Sequence, residues 1–256
     1  NTYESIGIVQ QKQGCHEDAI HSFERAFAIK KSSLDEGDED FCVILHFIGT
    51  SLFALGRYSE SVSYFKDSSE QKRVHYGDND EDYAMSVIDL AAAYAKVGDE
   101  KQSMECYHEA VQSDALPHDS WVLGVCHKCL GEFFINKNMN VASLESFNEA
   151  ISIFEWNIEN TSGSNINYDD IVQCYMHLLD LEEERGGPIS EIRGTLCYKL
   201  ANSYVQVKQH HDAVLMYREA IMIQSQMFGV DHLSVANTLH NLGNCYRDLC
   251  DYDKSA

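Results

Sequence analysis

The sequence predicts an all-α protein, a solenoid in which pairs of helices stack one behind another. Three observations support this fold class. A Gly or Ala recurs at nearly equal intervals, a large aliphatic residue stands directly before it, and aromatic and small residues follow it at helical spacing. An internal period of this kind is typical of an array of similar units, each of which packs mainly on its neighbours.

The recurring small residue, called the anchor below, sets the length of one unit. Successive anchors lie 42, 42, 40, 70 and 42 residues apart. A small anchor allows two helices to approach closely, because it can receive a bulky side chain of the neighbouring helix. The six anchors are Gly7, Gly49, Ala91, Gly131, Ala201 and Gly243. The aliphatic residues before them are Ile6, Ile48, Leu90, Leu130, Leu200 and Leu242.

Each unit is predicted to contain two amphipathic helices. A large residue stands three positions after every anchor except the first, where Gln10 is found, and it completes the apolar stripe of the first helix. Small residues twelve and nineteen positions after the anchor, with an aromatic residue between them, mark the second helix. The aromatic residues are Phe23, Phe65, Tyr107, Phe147 and Tyr217.

Glycines separate the two helices in the first three units, where a residue in the left-handed conformation can end the first helix. They are Gly14, Gly56 and Gly98. Later units have Asn138, Lys208 and Cys250 at this place. Asparagine tolerates the left-handed conformation, whereas Lys208 and Cys250 predict a different turn or local strain.

Turn signals also separate one unit from the next. Gly77 and Gly229 are predicted to end second helices, and acidic residues follow them where the first-turn amides of the next helix favour negative charge. These acidic residues are Asp78, Asp80, Asp82 and Asp231.

Together the anchors and turns predict one array over residues 1–256, with units at about 1–32, 40–76, 82–114, 120–158, 191–228 and an incomplete 234–256. The 70-residue interval is irregular. Residues 159–167 are polar and predict a loop. Residues 168–187 predict a degenerate unit with one clear helix, because too few residues remain before the next unit for a full pair.

The order of large, small and aromatic residues resembles the tetratricopeptide repeat, whose usual period is about 34 residues. The 42-residue period and the segment 229–246, GVDHLSVANTLHNLGNCY, resemble the longer repeats of the kinesin light chain family. Leu233 stands where that family usually has proline, and His240 where asparagine is common. The resemblance implies a right-handed superhelical solenoid of tetratricopeptide helix pairs with a concave groove that holds partner peptides.

Composition limits the partners. The formal net charge is −22, which opposes binding to nucleic acid or to an anionic membrane surface. No apolar run approaches the roughly 18 residues of a membrane-spanning helix. Nine cysteines spread through predicted helices indicate buried thiols in a reducing compartment, which predicts a cytoplasmic protein.

No residue pattern predicts catalysis, a cofactor or a metal site. The segment 126–129, Cys-His-Lys-Cys, lacks a second ligand pair for a tetrahedral metal. The aspartates from Asp78 onward resemble a calcium loop, but Tyr83 stands where such a loop requires glycine. Packing and helix initiation are the preferred interpretations of these two segments.

The candidate site is therefore a surface formed by first helices. Residues three before, two before, one after and four after an anchor are expected to face the groove. In the last two first helices they include Tyr198, Lys199, Asn202, His240, Asn241, Asn244 and Arg247. The asparagines could hold a peptide backbone without reading its sequence, and Lys199 with Arg247 could hold a carboxylate. Upstream, His46, Phe53, Ile88 and Asp89 predict a partly apolar groove.

The predicted function is a non-catalytic scaffold that binds a peptide or helix of a partner protein in this groove, similar to kinesin light chain cargo adaptors. The acidity favours a partner of basic or mixed character. An alternative is the regulatory or sensor arm of a larger signalling enzyme or ATPase. Because units are incomplete at both ends, self-association through the terminal repeats is a further hypothesis.

Overall fold

The computed structural model describes residues 2–33, 39–78, 80–112, 116–117, 120–160, 167–186 and 189–253. Over these ranges the protein is an all-α solenoid of helix pairs, with no strand. Its twelve helices are α1 (Thr2–Lys12), α2 (His16–Ser33), α3 (Glu39–Ala54), α4 (Tyr58–Tyr76), α5 (Glu81–Val97), α6 (Glu100–Gln112), α7 (Trp121–Asn136), α8 (Asn140–Asn160), α9 (Tyr168–Gly186), α10 (Glu191–Gln206), α11 (His210–Phe228) and α12 (Leu233–Asp253).

The chain forms two compact units, the N-terminal unit of residues 1–133 and the C-terminal unit of residues 134–256. In the N-terminal unit, α1 to α6 pack on one another in chain order. In the C-terminal unit, α8 to α12 do the same. This sequential packing is what a repeat solenoid requires, since each element contacts its neighbours rather than a distant core.

Anchor glycines receive aromatic rings, as the sequence predicts. A Cβ atom on Gly7 would lie 2.6 Å from Cε1 of Phe23, and a Cβ on Gly49 would lie 2.8 Å from Cδ1 of Phe65. Phe23 is fully buried and Phe65 is 2% exposed. Hydrogen is therefore the only side chain that fits these two anchors without displacing a ring.

The small residues that flank each aromatic residue are buried as well. Ala19 and Ala26 enclose Phe23, and Ala213 and Ala220 take the corresponding places around Tyr217, all four with no exposed surface. Burial of one such aromatic side chain contributes about 1.5–3 kcal/mol. The repeated columns are thus the hydrophobic interior of each helix pair.

Left-handed residues end the first helices. Gly14, Gly56 and Gly98 have φ values of 78°, 76° and 91°. Asn138 and Lys208 take the same conformation, with φ of 57° and 62°. Lys208 therefore has the same turn as the glycines and not a different one, and an L residue in this region carries a cost of about 1 kcal/mol.

Caps define the other helix ends. The Asp80 carboxylate accepts hydrogen bonds from the backbone amides of Asp82 and Tyr83 and so begins α5. Gly77 ends α4 with φ of 88°, and Gly229 ends α11 with φ of 90°. The predicted turn at Cys250 is wrong, because α12 continues through that position to Asp253.

The irregular interval contains the single helix α9. It packs on α8 before it and on α10 after it. The predicted loop at 159–167 starts too early, since α8 extends to Asn160; residues 161–166 lie outside the described ranges. No helix in the described part of the chain is long and apolar enough to cross a membrane.

Candidate binding groove

The face of α10 and α12 in the C-terminal unit carries a network of amides and phenols. Helical spacing places Tyr198 and Asn202 one turn apart on α10. Asn241 on α12 donates to the Tyr198 hydroxyl at 3.1 Å and to Asn202 Oδ1 at 3.2 Å. Tyr217 on α11 also donates to Asn202 Oδ1, at 2.6 Å. The fold therefore brings three of the predicted site residues into one hydrogen-bonded group.

Lys199 has a partner that the sequence does not predict. Its ammonium lies 2.7 Å from Oε1 of Glu155 on α8, and both side chains are about two-fifths exposed. Tyr175 on α9 donates to the same carboxylate oxygen. The charge of Lys199 is thus compensated within the chain, which competes with its predicted role as a ligand for a partner carboxylate.

Three predicted residues lie nearer the solvent on α12. The His240 ring lies 3.2 Å from the Asn244 amide. The Arg247 side chain is 69% exposed, and its nearest carboxylate, Asp248, is 4.0 Å away. An exposed pair of this kind contributes less than about 1 kcal/mol. Arg247 is therefore accessible to a partner, and its role in holding a carboxylate stays a prediction.

Two hollows open on this face. The first, of about 390 Å³, lies between α8, α9 and α10. Its lining is Glu155, Ile158, Glu159, Tyr168, Ile171, Tyr175, Lys199, Asn202, Ser203 and Gln206. The second, of about 310 Å³, reaches α12. Its lining is Asn202, Val205, Gln206, Tyr217, Asn241, Asn244, Cys245 and Asp248. Asn202 and Gln206 belong to both, so the two hollows adjoin.

The phenols of this face are held as proton donors. Burial raises the pKa of Tyr175 far above its ordinary value, and the bonded Glu155 carboxylate raises it further. Burial also raises the pKa of Tyr217, with a smaller contribution from the nearby Cys245. Both hydroxyls stay protonated at neutral pH and hold Glu155 and Asn202 in place.

The corresponding positions of the N-terminal unit form a different surface. His46 Nε2 on α3 lies 3.4 Å from Asp89 Oδ2 on α5. Burial lowers the pKa of His46 to about 4, and the Lys72 charge acts in the same direction. Burial raises the pKa of Asp89 to about 7, against the opposing effect of Lys72. Ile88 is 1% exposed, so its predicted place in the groove is wrong and it belongs to the core.

The cysteine-rich and acidic segments have structural contacts of their own. No group of three candidate metal ligands occurs in the described ranges. Cys126 is buried with its Sγ 3.8 Å from the Tyr107 carbonyl, and burial raises the pKa of the Cys126 thiol to about 12. Asp80 serves as a helix cap. Packing and capping thus account for both segments.

Sequence reasoning missed Glu155 because it assigned the groove to first helices alone. It missed Tyr175 on α9 and Asp248 on α12 because neither stands at one of the four positions assigned to the groove. In the C-terminal unit, the single helix α9 changes the alternation, so Glu155 of α8, the second helix of its pair, reaches Lys199 of α10. The 70-residue interval carried a signal of this change, since it has room for an odd number of helices.

The sequence and the fold were compared with known proteins. The family model of the tetratricopeptide repeat matches residues 40–114 and 191–256. Among solved structures, the TPR-like repeats of a Podosopora anserina protein described as a kinesin light chain match with a TM-score of 0.53 at 15% identity, covering 89% of this chain and 95% of that one. BtubC (BKLC) from P. vanneervenii matches with a TM-score of 0.60 at 14% identity, covering 89% and 80%. None of the curated proteins matches the chain significantly.

Proposed function

Because the chain belongs to the tetratricopeptide repeat family, we propose that it is a non-catalytic scaffold that binds a peptide segment or helix of a partner protein on the face of α10 and α12. The family match accounts for more than half of the chain and supports a role in protein interaction. The residues proposed to contact the partner are Tyr198, Lys199, Asn202, His240, Asn241, Asn244 and Arg247.

The observation that carries the proposal is the network of Asn202, Asn241, Tyr198 and Tyr217 beside two adjoining hollows. An asparagine side chain presents one acceptor and two donor hydrogens. Amides held in place by phenols lose little conformational entropy when they bind, so they can grip the repeating donors and acceptors of an extended peptide. This arrangement suits recognition of a backbone.

The character of the partner follows from charge. A chain with a formal charge of −22 attracts a basic or mixed peptide from a distance, and salt weakens that attraction. We extend the proposal to a cargo-adaptor role, which the likeness in fold to the kinesin light chain repeats favours without identifying a cargo. Eight of the nine cysteines, all except Cys250, are free thiols in the structure, and we propose a cytoplasmic protein because thiols persist in a reducing compartment.

A display selection tests the proposal. A library of random 12-residue peptides is selected on the whole chain at low salt, and the enriched peptides are titrated at two salt concentrations by fluorescence anisotropy. We expect saturable binding that weakens as salt rises. The double variant Asn202→Ala, Asn241→Ala should weaken binding by about tenfold, because it removes two amides that contact the backbone.

The matched control is Gln226→Ala, which removes an exposed amide from α11, outside both hollows. It should leave the affinity unchanged. If no peptide is enriched, or if Gln226→Ala weakens binding as much as the double variant, the scaffold role of this face is refuted.

A further inference from the structure

The first hollow of the C-terminal unit has a defined charge. Among the ten described residues that line it, Glu155 and Glu159 are acidic and Lys199 is the one cation. Lys199 and Glu155 compensate each other at 2.7 Å, which leaves the Glu159 carboxylate as the uncompensated charge of the lining. The described lining thus carries two acidic groups against one basic group, which favours a partner cation over a partner carboxylate.

The Glu155 carboxylate has room for another donor. Lys199 and Tyr175 both donate to its Oε1 atom. The other oxygen, Oε2, therefore can accept a bond from a group that enters the hollow. Because Tyr175 is buried and its hydroxyl stays protonated, Glu155 is held in position before a ligand arrives.

The rest of the lining suits the stem of a long side chain. Ile158 provides aliphatic surface, and Tyr168 provides a partly exposed ring. Lysine and arginine side chains lie on apolar surface while their charged ends meet polar groups, and either cation can also lie over a tyrosine ring. An acidic or short polar side chain would gain none of these contacts.

The hollow also adjoins the amide surface. Asn202 and Gln206 line both hollows, so a peptide whose backbone contacts Asn202 can place one side chain between α8 and α10. The second hollow ends at Asp248, which adds another acidic residue farther along the same path.

We propose that the hollow between α8, α9 and α10 is a specificity pocket for a lysine or arginine side chain of the bound peptide, with Glu159 and Glu155 as the residues that meet the cation. This inference rests on the proposed function and names the chemistry of its partner. In this proposal α8, the second helix of its pair, selects the residue type at one position of the bound peptide.

The test repeats the 12-residue display selection on the wild-type chain, on Glu159→Gln and on Glu149→Gln. Glu149 is exposed on the same helix but lies outside the hollow, so its variant removes the same charge elsewhere. We expect wild type and Glu149→Gln to enrich peptides with lysine or arginine at one fixed position. Glu159→Gln should lose that preference while keeping the other enriched positions. Circular dichroism confirms that the variants are folded.

A double-mutant cycle measures the contact itself. Replacing the fixed lysine of an enriched peptide with norleucine should weaken binding to the wild type by about fivefold to tenfold, and to Glu159→Gln by less than about twofold. Enriched peptides without a fixed basic position, or an equal loss for both proteins, would overturn the pocket and leave the scaffold role intact. A selection that enriches no peptide would overturn both.

Discussion

The two compact units use different polar pairs at the same place in the repeat. In the N-terminal unit, Lys72 near the end of α4 donates to Ser86 Oγ on α5 at 2.7 Å. In the C-terminal unit, Thr238 on α12 donates to Gln224 Oε1 on α11 at 2.9 Å. Each pair joins a second helix to the next first helix across fourteen positions, and all four residues are buried.

This difference shows what a helix junction requires. Ser86 also donates to the Asp82 carbonyl four positions earlier, and Thr238 shares its single hydroxyl hydrogen between Gln224 Oε1 and the Ser234 carbonyl four positions earlier. A buried polar group needs a hydrogen-bond partner, but the partner can be charged or neutral. The junction therefore requires that its buried polar groups form hydrogen bonds, but it does not require a charge. Where one residue of the pair is charged, that charge can act on titratable groups of the neighbouring surface.

Only the N-terminal junction has a charged residue, Lys72, that changes the pKa values of nearby groups. The Lys72 charge helps to lower the pKa of His46 and opposes the rise in the pKa of Asp89, both of which lie at positions expected to face the groove. Gln224 brings no charge to the face of Asn202 and Asn241. At these positions the N-terminal unit thus presents the titratable pair His46 and Asp89, and the C-terminal unit presents the amides Asn202 and Asn241.

Truncation of the two junction side chains should give the largest difference between the units. We expect Lys72→Ala to lower the free energy of unfolding by about 3 kcal/mol, because it removes a buried aliphatic stem and two hydrogen bonds. Gln224→Ala should lower it by about 1–2 kcal/mol, since it removes a shorter buried stem and one hydrogen bond. Urea unfolding of the whole chain measures both, with the exposed Lys66→Ala as the control near zero. Equal losses at Lys72 and Gln224 would contradict the comparison.

The fold could be predicted from the sequence because the repeated positions that form its core lie within one helix pair. Anchors such as Gly7 and aromatic residues such as Phe23 belong to one helix pair, so their spacing in the sequence predicts that they are in contact. The junction pairs were not predicted, because Lys72 and Gln224 stand at the same position of the repeat but are different residue types. Their hydroxyl partners, Ser86 and Thr238, lie on the next helix pair and contact them through the packing of adjacent pairs.

The site was predictable to a smaller extent for a related reason. Asn202 and Asn241 occupy equivalent positions of successive first helices, and they meet as expected. The Glu155 partner of Lys199 lies on α8, and its approach depends on the single helix α9. A missing helix changes which helices are neighbours. A prediction that assumes a constant repeat length cannot show which contacts form where that length changes.

Replacing an anchor glycine with alanine should change the stability in opposite directions in the two units. In Gly49→Ala the new Cβ would lie 2.8 Å from the buried Phe65 ring, and the clash costs about 1–3 kcal/mol, more than the helix gains by losing a glycine. Around Gly243 no heavy atom of the described residues lies within 4 Å of that position. Gly243→Ala should therefore stabilise the protein by up to about 1 kcal/mol.

Thermal unfolding of the two glycine variants checks this expectation, with a lower Tm for Gly49→Ala and a higher Tm for Gly243→Ala. A lower Tm for both would mean that the Gly243 anchor is packed like the Gly49 anchor.

The smallest expected effect concerns pH in the N-terminal unit. Replacing Lys72 by the residue of the other unit, Lys72→Gln, should raise the pKa of His46 from about 4 toward its ordinary value, because one cause of its lowering is removed while burial stays. The pKa of Asp89, about 7 in the wild type, should also rise, since Lys72 opposes that rise. NMR titration of the His46 ring measures the first shift. Lys66→Gln on the same helix is the control for the loss of one charge, and an equal shift in both variants would refute a specific effect of Lys72.

The stability of the protein should respond to pH in two opposing ways. His46, with its pKa lowered to about 4, stabilises the fold above its unfolded value near 6.5, and this contribution is lost as pH falls toward 4. Asp89, with its pKa raised to about 7, stabilises the fold at low pH, and its contribution is lost as pH rises through 7. The two slopes oppose each other between about pH 4 and 6.5. Asp89→Asn removes one of them, so its stability relative to the wild type should increase from pH 5 to pH 8, as urea unfolding at each pH would show.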